Sequence, residues 1–144
     1  MDWALPPELA DVPGATELFD WFGYWPTLHD AELVDIVLNT QGASWIGVYT
    51  CGFTGEVHSS GHYVQIKHVT VKFILEGISK LELQDFSIQN VMCGVFLTRS
   101  EDGYEIELEP IYGIGGTVSA NRVRIEIEPG ILPNRPGFST ANDV

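Results

Sequence analysis

No lysine or arginine occurs before Lys67, and that absence excludes more functions than any other feature of the composition. Residues 1 to 66 carry nine of the 20 acidic side chains, while all 7 basic ones come later, for a formal net charge of −13. A field of that sign repels nucleic acid, whose phosphates need clustered Lys and Arg. It repels anionic membranes as well. It attracts a basic protein and speeds the encounter. Long apolar runs are missing too, and nothing approaches the ~18 residues that a membrane-spanning helix needs. The opening, Met1-Asp2-Trp3-Ala4-Leu5-Pro6-Pro7-Glu8, lacks the basic start and apolar stretch of a secretory signal. The expected location is therefore the cytoplasm. Cysteine is scarce: Cys51 and Cys93 lie far apart in apolar, strand-like surroundings and are expected as buried free thiols, not a disulfide. There is no G-x-S-x-G, and neither cysteine is flanked by histidine, so no catalytic residue is assigned and no enzyme is expected.

What is present describes one mainly β domain over residues 1–144, with 44% apolar and 11% aromatic residues. Residues 1–14 read as an irregular lead-in containing one helical turn after Pro7. Thr16 to Phe22 can form a short helix that packs through Leu18, Phe19 and Phe22, with Gly23 as its stop. Trp25-Pro26 then forces an extended or turn geometry, with the trans peptide as the default. From Glu32 the period becomes two. Candidate strands cover Glu32 to Asn39, Trp45 to Phe53, Tyr63 to Glu76, a segment around Leu81 and Leu83, Val91 to Arg99, Tyr104 to Glu109 and Arg122 to Glu128. Within Tyr63 to Glu76 the apolar parity changes, Val64 and Ile66 on one phase and Val69, Val71, Phe73 and Leu75 on the other. That predicts a bulge or break at Lys67-His68. Glu101-Asp102-Gly103 is a hairpin turn, and residues 129–144 form a Pro/Gly/Asn tail, loose at its end. Strands at this spacing without helical patterns between them give an antiparallel sheet or sandwich. Glu- and Arg-bearing outer faces are expected to pair across neighbouring strands.

Four groups of residues are candidates for chemistry or contact. His29-Asp30 can share a metal or do acid–base work. In the competing reading His29 bonds a backbone carbonyl and Asp30 caps the turn into the strand. Glu32 is expected to share a strand face with Asp30, so His29, Asp30 and Glu32 define the alternative function, a metal-binding domain or metal-dependent enzyme. His58 and His62 have His-x3-His spacing, with His68 following, but they sit in a turn sequence without cysteine and are weak metal candidates. No cofactor is assigned. Gly113-Ile114-Gly115-Gly116-Thr117 lacks the Lys and the helix of a phosphate loop and reads as a tight turn or bulge needing positive φ. The aromatics Trp3, Trp21, Tyr24, Trp25 and Trp45 crowd the first third; most should be core, and one left exposed amid acids would anchor an interface.

Three strings resemble a known family. Phe22-Gly23-Tyr24-Trp25-Pro26-Thr27-Leu28-His29-Asp30-Ala31-Glu32-Leu33 is similar to the signature of the bacterial immunity protein 50 family. Leu81 to Val91 resembles its central strand and Phe-x-x-Gln-Asn turn, ending at Asn90. Tyr112 to Ala120 resembles its Gly-x-x-Gly segment, with Gly113 and Gly116. The resemblance covers Phe19 to Glu128. It implies a small, strand-rich protein that neutralises a toxin in bacterial competition, and it brings no catalytic residues with it. Together with the charge, it gives the expected function: a non-enzymatic antidote that binds a cognate toxin, expected to be basic and of nuclease type, with Trp25, Pro26, His29, Asp30, Glu32, Asn90, Gly113 and Gly116 as structural or partner-binding residues. The main job of the Trp25-Pro26 to His29-Asp30 string is then to hold the helix-to-strand corner.

Overall fold

The alternation over Tyr104–Glu109 and Arg122–Glu128 produces strands whose apolar side chains point inward, and the sheet they join closes on itself. The computed structural model describes residues 4–57 and 63–132, and the side chains of 4–52 and 67–132. A 3₁₀ turn at Pro7–Leu9 and one helix, α1 (Ala15–Phe22), precede six strands. These are β1 (Glu32–Val37), β2 (Ser44–Val57), β3 (Tyr63–Gln84), β4 (Val91–Ser100), β5 (Gly103–Tyr112) and β6 (Gly115–Pro129). All pair antiparallel in the closed order β1-β2-β3-β6-β5-β4. The mainly β, antiparallel architecture with a short N-terminal helix is as expected, and closure into a barrel is what the structure adds.

Two features of β3 set the barrel's shape. Thr50 pairs with Val69 but Gly52 pairs with Ile66, so Lys67 and His68 together oppose Cys51 alone. This is the bulge that the parity change predicted, and Lys67 takes the left-handed conformation there, with φ 54°. Leu81 and Leu83, expected as a separate strand, instead continue β3, which is 22 residues long and pairs with β6 as far as Gln84–Gly115. A register shift between Ile78 and Lys80 lets the strand bend without ending. β2 also runs on to Val57, past Phe53, where the candidate strand ended.

The barrel interior is filled, with Ile46, Val48, Val69, Val71, Phe73, Ile106, Leu108, Val118 and Ile125 all buried in one cluster. The lead-in closes it: Leu9 and Val12 are buried, and the Pro13 carbonyl accepts the Ile125 N–H at 2.7 Å. In α1, Leu18 enters the core as expected, but Trp21 rather than Phe19 packs beside it with Phe22. Lys67, the first cation of the chain, reaches back to the end of this helix. Its Nζ donates to the Trp21 carbonyl at 2.7 Å and lies 5.7 Å from the Trp21 ring centre. A cation belongs there, because the last carbonyls of a helix lack intrahelical donors and carry partial negative charge.

β3 and β4 are not neighbours, so residues 85–90 must carry the chain from one side of the barrel to the other. The glycine segment that follows β5 receives this crossover. Gly116 has φ 135°, and a Cβ there would lie 1.9 Å from the Glu82 carbonyl oxygen on β3. Gly42, in the β1–β2 turn, also has positive φ (97°) but faces open space. Gly42→Ala should therefore cost only the backbone conformation, about 1 kcal/mol. Gly116→Ala must also push two strands apart and should cost roughly 3 kcal/mol or more. Urea midpoints of the two variants check this; equal losses would mean that the β3–β6 approach at Gly116 is not tight.

Candidate functional site

The segment with the most conspicuous residues turns out to be the seam of the barrel. β1 and β4 share a single registered pair, Glu32–Val91, so neighbouring backbone contacts must complete the closure. Val95 N–H donates to the Thr27 carbonyl at 2.9 Å, Asp30 N–H to Met92 at 2.8 Å, Met92 N–H to Ala31 at 2.8 Å and Leu33 N–H to Asn90 at 2.9 Å. Trp25 is half-buried against the core and Pro26 is buried, joined by a trans peptide. Leu28 and Asp30 both take left-handed backbone (φ 60° and 66°), a costly choice for residues with a Cβ that the seam bonds hold in place.

This corner decides what His29, Asp30 and Glu32 can do. Among the described residues His29 bonds no backbone carbonyl; its Nδ1 lies 3.2 Å from Asp30 Oδ2, with both side chains open to solvent. Asp30 and Glu32 do not share a face. The left-handed turn at Asp30 leaves that carboxylate exposed, whereas Glu32 is 5% exposed at the start of β1. The trio expected for the metal alternative therefore does not converge, and among the described residues no three His, Cys, Asp or Glu side chains are placed to hold a metal ion. His58 and His62 lie outside the described residues. His68 hydrogen-bonds the hydroxyl of buried Tyr49 through Nδ1.

Asn90 and Gly113, from separate stretches of sequence, form one latch, while Gly116, three residues on, packs against the Glu82 carbonyl of β3. The Asn90 side chain is buried and makes three bonds: Oδ1 accepts from Ser87 N–H at 3.0 Å and Ile114 N–H at 2.8 Å, and Nδ2 donates to the Ser87 carbonyl at 2.8 Å. A Cβ on Gly113 would sit 2.5 Å from that same Oδ1, so the turn can approach only because Gly113 has no side chain. Since the Asn90 carbonyl also takes the Leu33 N–H, one residue ties the crossover to both the seam and the β5–β6 turn.

The expected charge pairing is only half realised. Lys72 lies 3.7 Å from Glu128, and Arg124 3.7 Å from Glu126 on its own strand. On β5, however, the outward Glu105 faces Thr98 and Ser119, Glu107 faces Phe96 and Thr117, and Glu109 faces Gly94. These three glutamates form no ion pair among the described residues. Glu109 instead acts on Cys93: loss of solvation raises that thiol above its ordinary value, and the Glu109 carboxylate, which also shares a hydrogen bond with it, and Asp30 raise it further. Neither cysteine is in a disulfide, and both are partly, not fully, buried. A cleft of about 470 Å³ between Glu76, Arg99, Tyr104, Arg122 and Arg124 mixes both signs of charge and is lined by no histidine or cysteine. Smaller clefts lie beside the motif, at Tyr24, Pro26, His29 and Lys67 (about 330 Å³), and beside the crossover, at Glu32, Asp35, Phe86 and Ile88 (about 270 Å³).

Asn90→Ala should destabilise the fold by about 2–3 kcal/mol, because it leaves the buried Ile114 N–H without an acceptor. Hydrogen exchange of the Ile114 amide should accelerate with it, and unchanged protection would remove Asn90 from the latch. For Cys93, the raised value favours the protonated thiol, which alkylating reagents attack poorly. In a Cys51→Ala background its alkylation should rise with pH at a midpoint above that of a fully solvated thiol, and Glu109→Gln should move that midpoint down. A midpoint indifferent to Glu109→Gln would show that the carboxylate does not act on the thiol.

No curated protein and no solved structure matches this chain. The family model described as Immunity protein 50 matches residues 14–129, from the residue before α1 to the last residue of β6, and so takes in the seam, the crossover and the glycine latch together. The chain belongs to the immunity protein 50 family.

Proposed function

We propose that this chain is a non-enzymatic cytoplasmic antidote that binds a cognate bacterial toxin through a basic surface and blocks it, a nuclease-type toxin being the class whose chemistry fits best. Family membership supports the role of an immunity protein with a toxin as its partner. The observation that supports a basic partner is the row Glu105, Glu107 and Glu109 on the outer face of β5, which has no cationic partner across either neighbouring strand. Three like charges in a row cost the isolated protein some repulsion, and a cationic surface laid over them removes it. A nuclease needs such a surface to hold phosphates. Covering it with carboxylates competes directly with the nucleic acid, so the antidote requires no catalytic group of its own.

The test is the association rate with candidate toxin domains drawn from the host's secreted proteins, those encoded by gene neighbours of this chain taken first. Raising salt from about 0.02 M to about 0.5 M shortens the screening length several-fold and should slow association at least tenfold, with a smaller change in dissociation. Glu105→Gln/Glu107→Gln/Glu109→Gln should show most of that slowing already in dilute salt. A wild-type rate indifferent to salt would overturn the electrostatic reading.

A further inference from the structure

Residues 81 to 98 contain no lysine or arginine, and in their midst two large apolar side chains stand in water. Phe86 is 71% exposed and Ile88 98% exposed, both on the crossover between β3 and β4. Apolar residues on a short loop normally turn inward when they can. These two cannot, because Asn90 clamps Ser87 between them through its N–H and its carbonyl, and Asp85 enters the loop in the left-handed conformation (φ 62°). The loop is therefore fixed with its apolar side chains presented, and a partner that covers them loses little freedom of the loop on binding. The adjoining cleft is acidic. Glu32 and Asp35 line it together with Phe86 and Ile88, and Asp35 Oδ1 is shielded with no hydrogen-bond partner among the described residues.

We infer that Phe86 and Ile88, held out by the Asn90 clamp beside the acidic cleft of Glu32 and Asp35, are the anchor by which this chain grips its protein partner. The occupant is a protein surface with an apolar socket ringed by lysine or arginine. Charge complementarity selects it: the sequence holds no lysine or arginine between Lys80 and Arg99, and the acid-bearing side chains lining the cleft beside Phe86 and Ile88 are Glu32 and Asp35. Buried apolar anchors within a charged rim are the usual arrangement of binding hot spots. The inference rests on the toxin-neutralising reading and names where the toxin is held: the acidic row on β5 speeds the encounter, and the crossover sets the lifetime of the complex.

The experiment measures the dissociation constant and rates for an inactivated form of the same toxin domain with wild type, with Ile88→Ser and with Phe86→Ser/Ile88→Ser. Both side chains are exposed, so thermal unfolding of the variants should match wild type. The double variant should bind about a hundredfold more weakly or worse, almost wholly through faster dissociation, and Ile88→Ser should fall between. If wild type binds and the double variant binds equally well, the anchor is overturned while the antidote reading stands. If wild type does not bind the toxin domain, both fall. If sedimentation shows wild type as a dimer that the double variant abolishes, the patch is a contact between copies of this chain and the inference is overturned.

Discussion

Everything in this barrel depends on joining β1 to β4. Five of the six strand contacts run over many residues, but this one has a single registered pair, and two short β-strands meeting start to start cannot hold a sheet closed. The remedy is to carry the backbone bonding out of β1 into the turn before it, so that Thr27, Asp30 and Ala31 bond β4 as a strand would. That requires the chain to reverse twice in a few residues, and the left-handed backbone at Leu28 and Asp30 is the consequence. An open edge on either strand would present unpaired N–H and C=O groups to other chains. The string from Trp25 to Leu33 is thus first a device for closure. Its polar doublet His29-Asp30 faces solvent because Leu28 beside it must face the core.

The same closure explains why Asn90 and the glycines matter. A chain passing from β3 to β4 crosses strands with which it has no ladder, so its backbone groups need other partners. Asn90 supplies them with both ends of its side chain, and Gly113 and Gly116 let the receiving turn come within reach. Rigidity here has a second effect. It prevents Phe86 and Ile88 from collapsing onto the barrel, so one latch both secures the topology and creates the most exposed apolar surface of the loop.

Much of this was legible in residues, and the failures have physical causes. The bulge at Lys67-His68 could be read because apolar parity changes there and nowhere else in the first half of β3. Ile106, Leu108, Val123 and Ile125 could be placed inward because strict alternation leaves one arrangement that buries them. Closure could not be read, since an open sheet and a barrel share the same alternation and differ here by one pair of residues. Asp30 and Glu32 were misplaced because a parity count assumes extended backbone, and a single residue with φ 66° invalidates the count. Leu81 and Leu83 looked like a new strand because the shift at Ile78–Lys80 breaks the period without breaking the pairing. An exposed aromatic was expected among Trp3, Trp21, Tyr24, Trp25 and Trp45; Tyr24 is exposed, at 45%, while Trp21, Trp25 and Trp45 are partly buried and Trp3 lies outside the described residues. Composition gave no sign that Phe86 and Ile88 would be outside, since a core and an interface ask for the same side chains.

On the proposed reading, the residues that hold the fold and the residues that meet the partner are different sets, even where they are adjacent. Trp25, Pro26, Asn90, Gly113 and Gly116 are buried, half-buried or held by bonds that the fold requires. Changing them alters stability before it alters recognition. Apart from the contact of Glu109 with Cys93, Glu105, Glu107, Glu109, Phe86 and Ile88 add nothing visible to the fold: among the described residues the acids form no ion pair and the apolar pair lacks cover. A protein can vary such positions at little cost to folding, and so match one toxin or another on an unchanged barrel. Asn90 is the hinge between the two sets. Because it fixes the loop without touching the solvent, its loss should weaken binding through loosening of Phe86 and Ile88, and partner binding should in turn restore part of the stability lost.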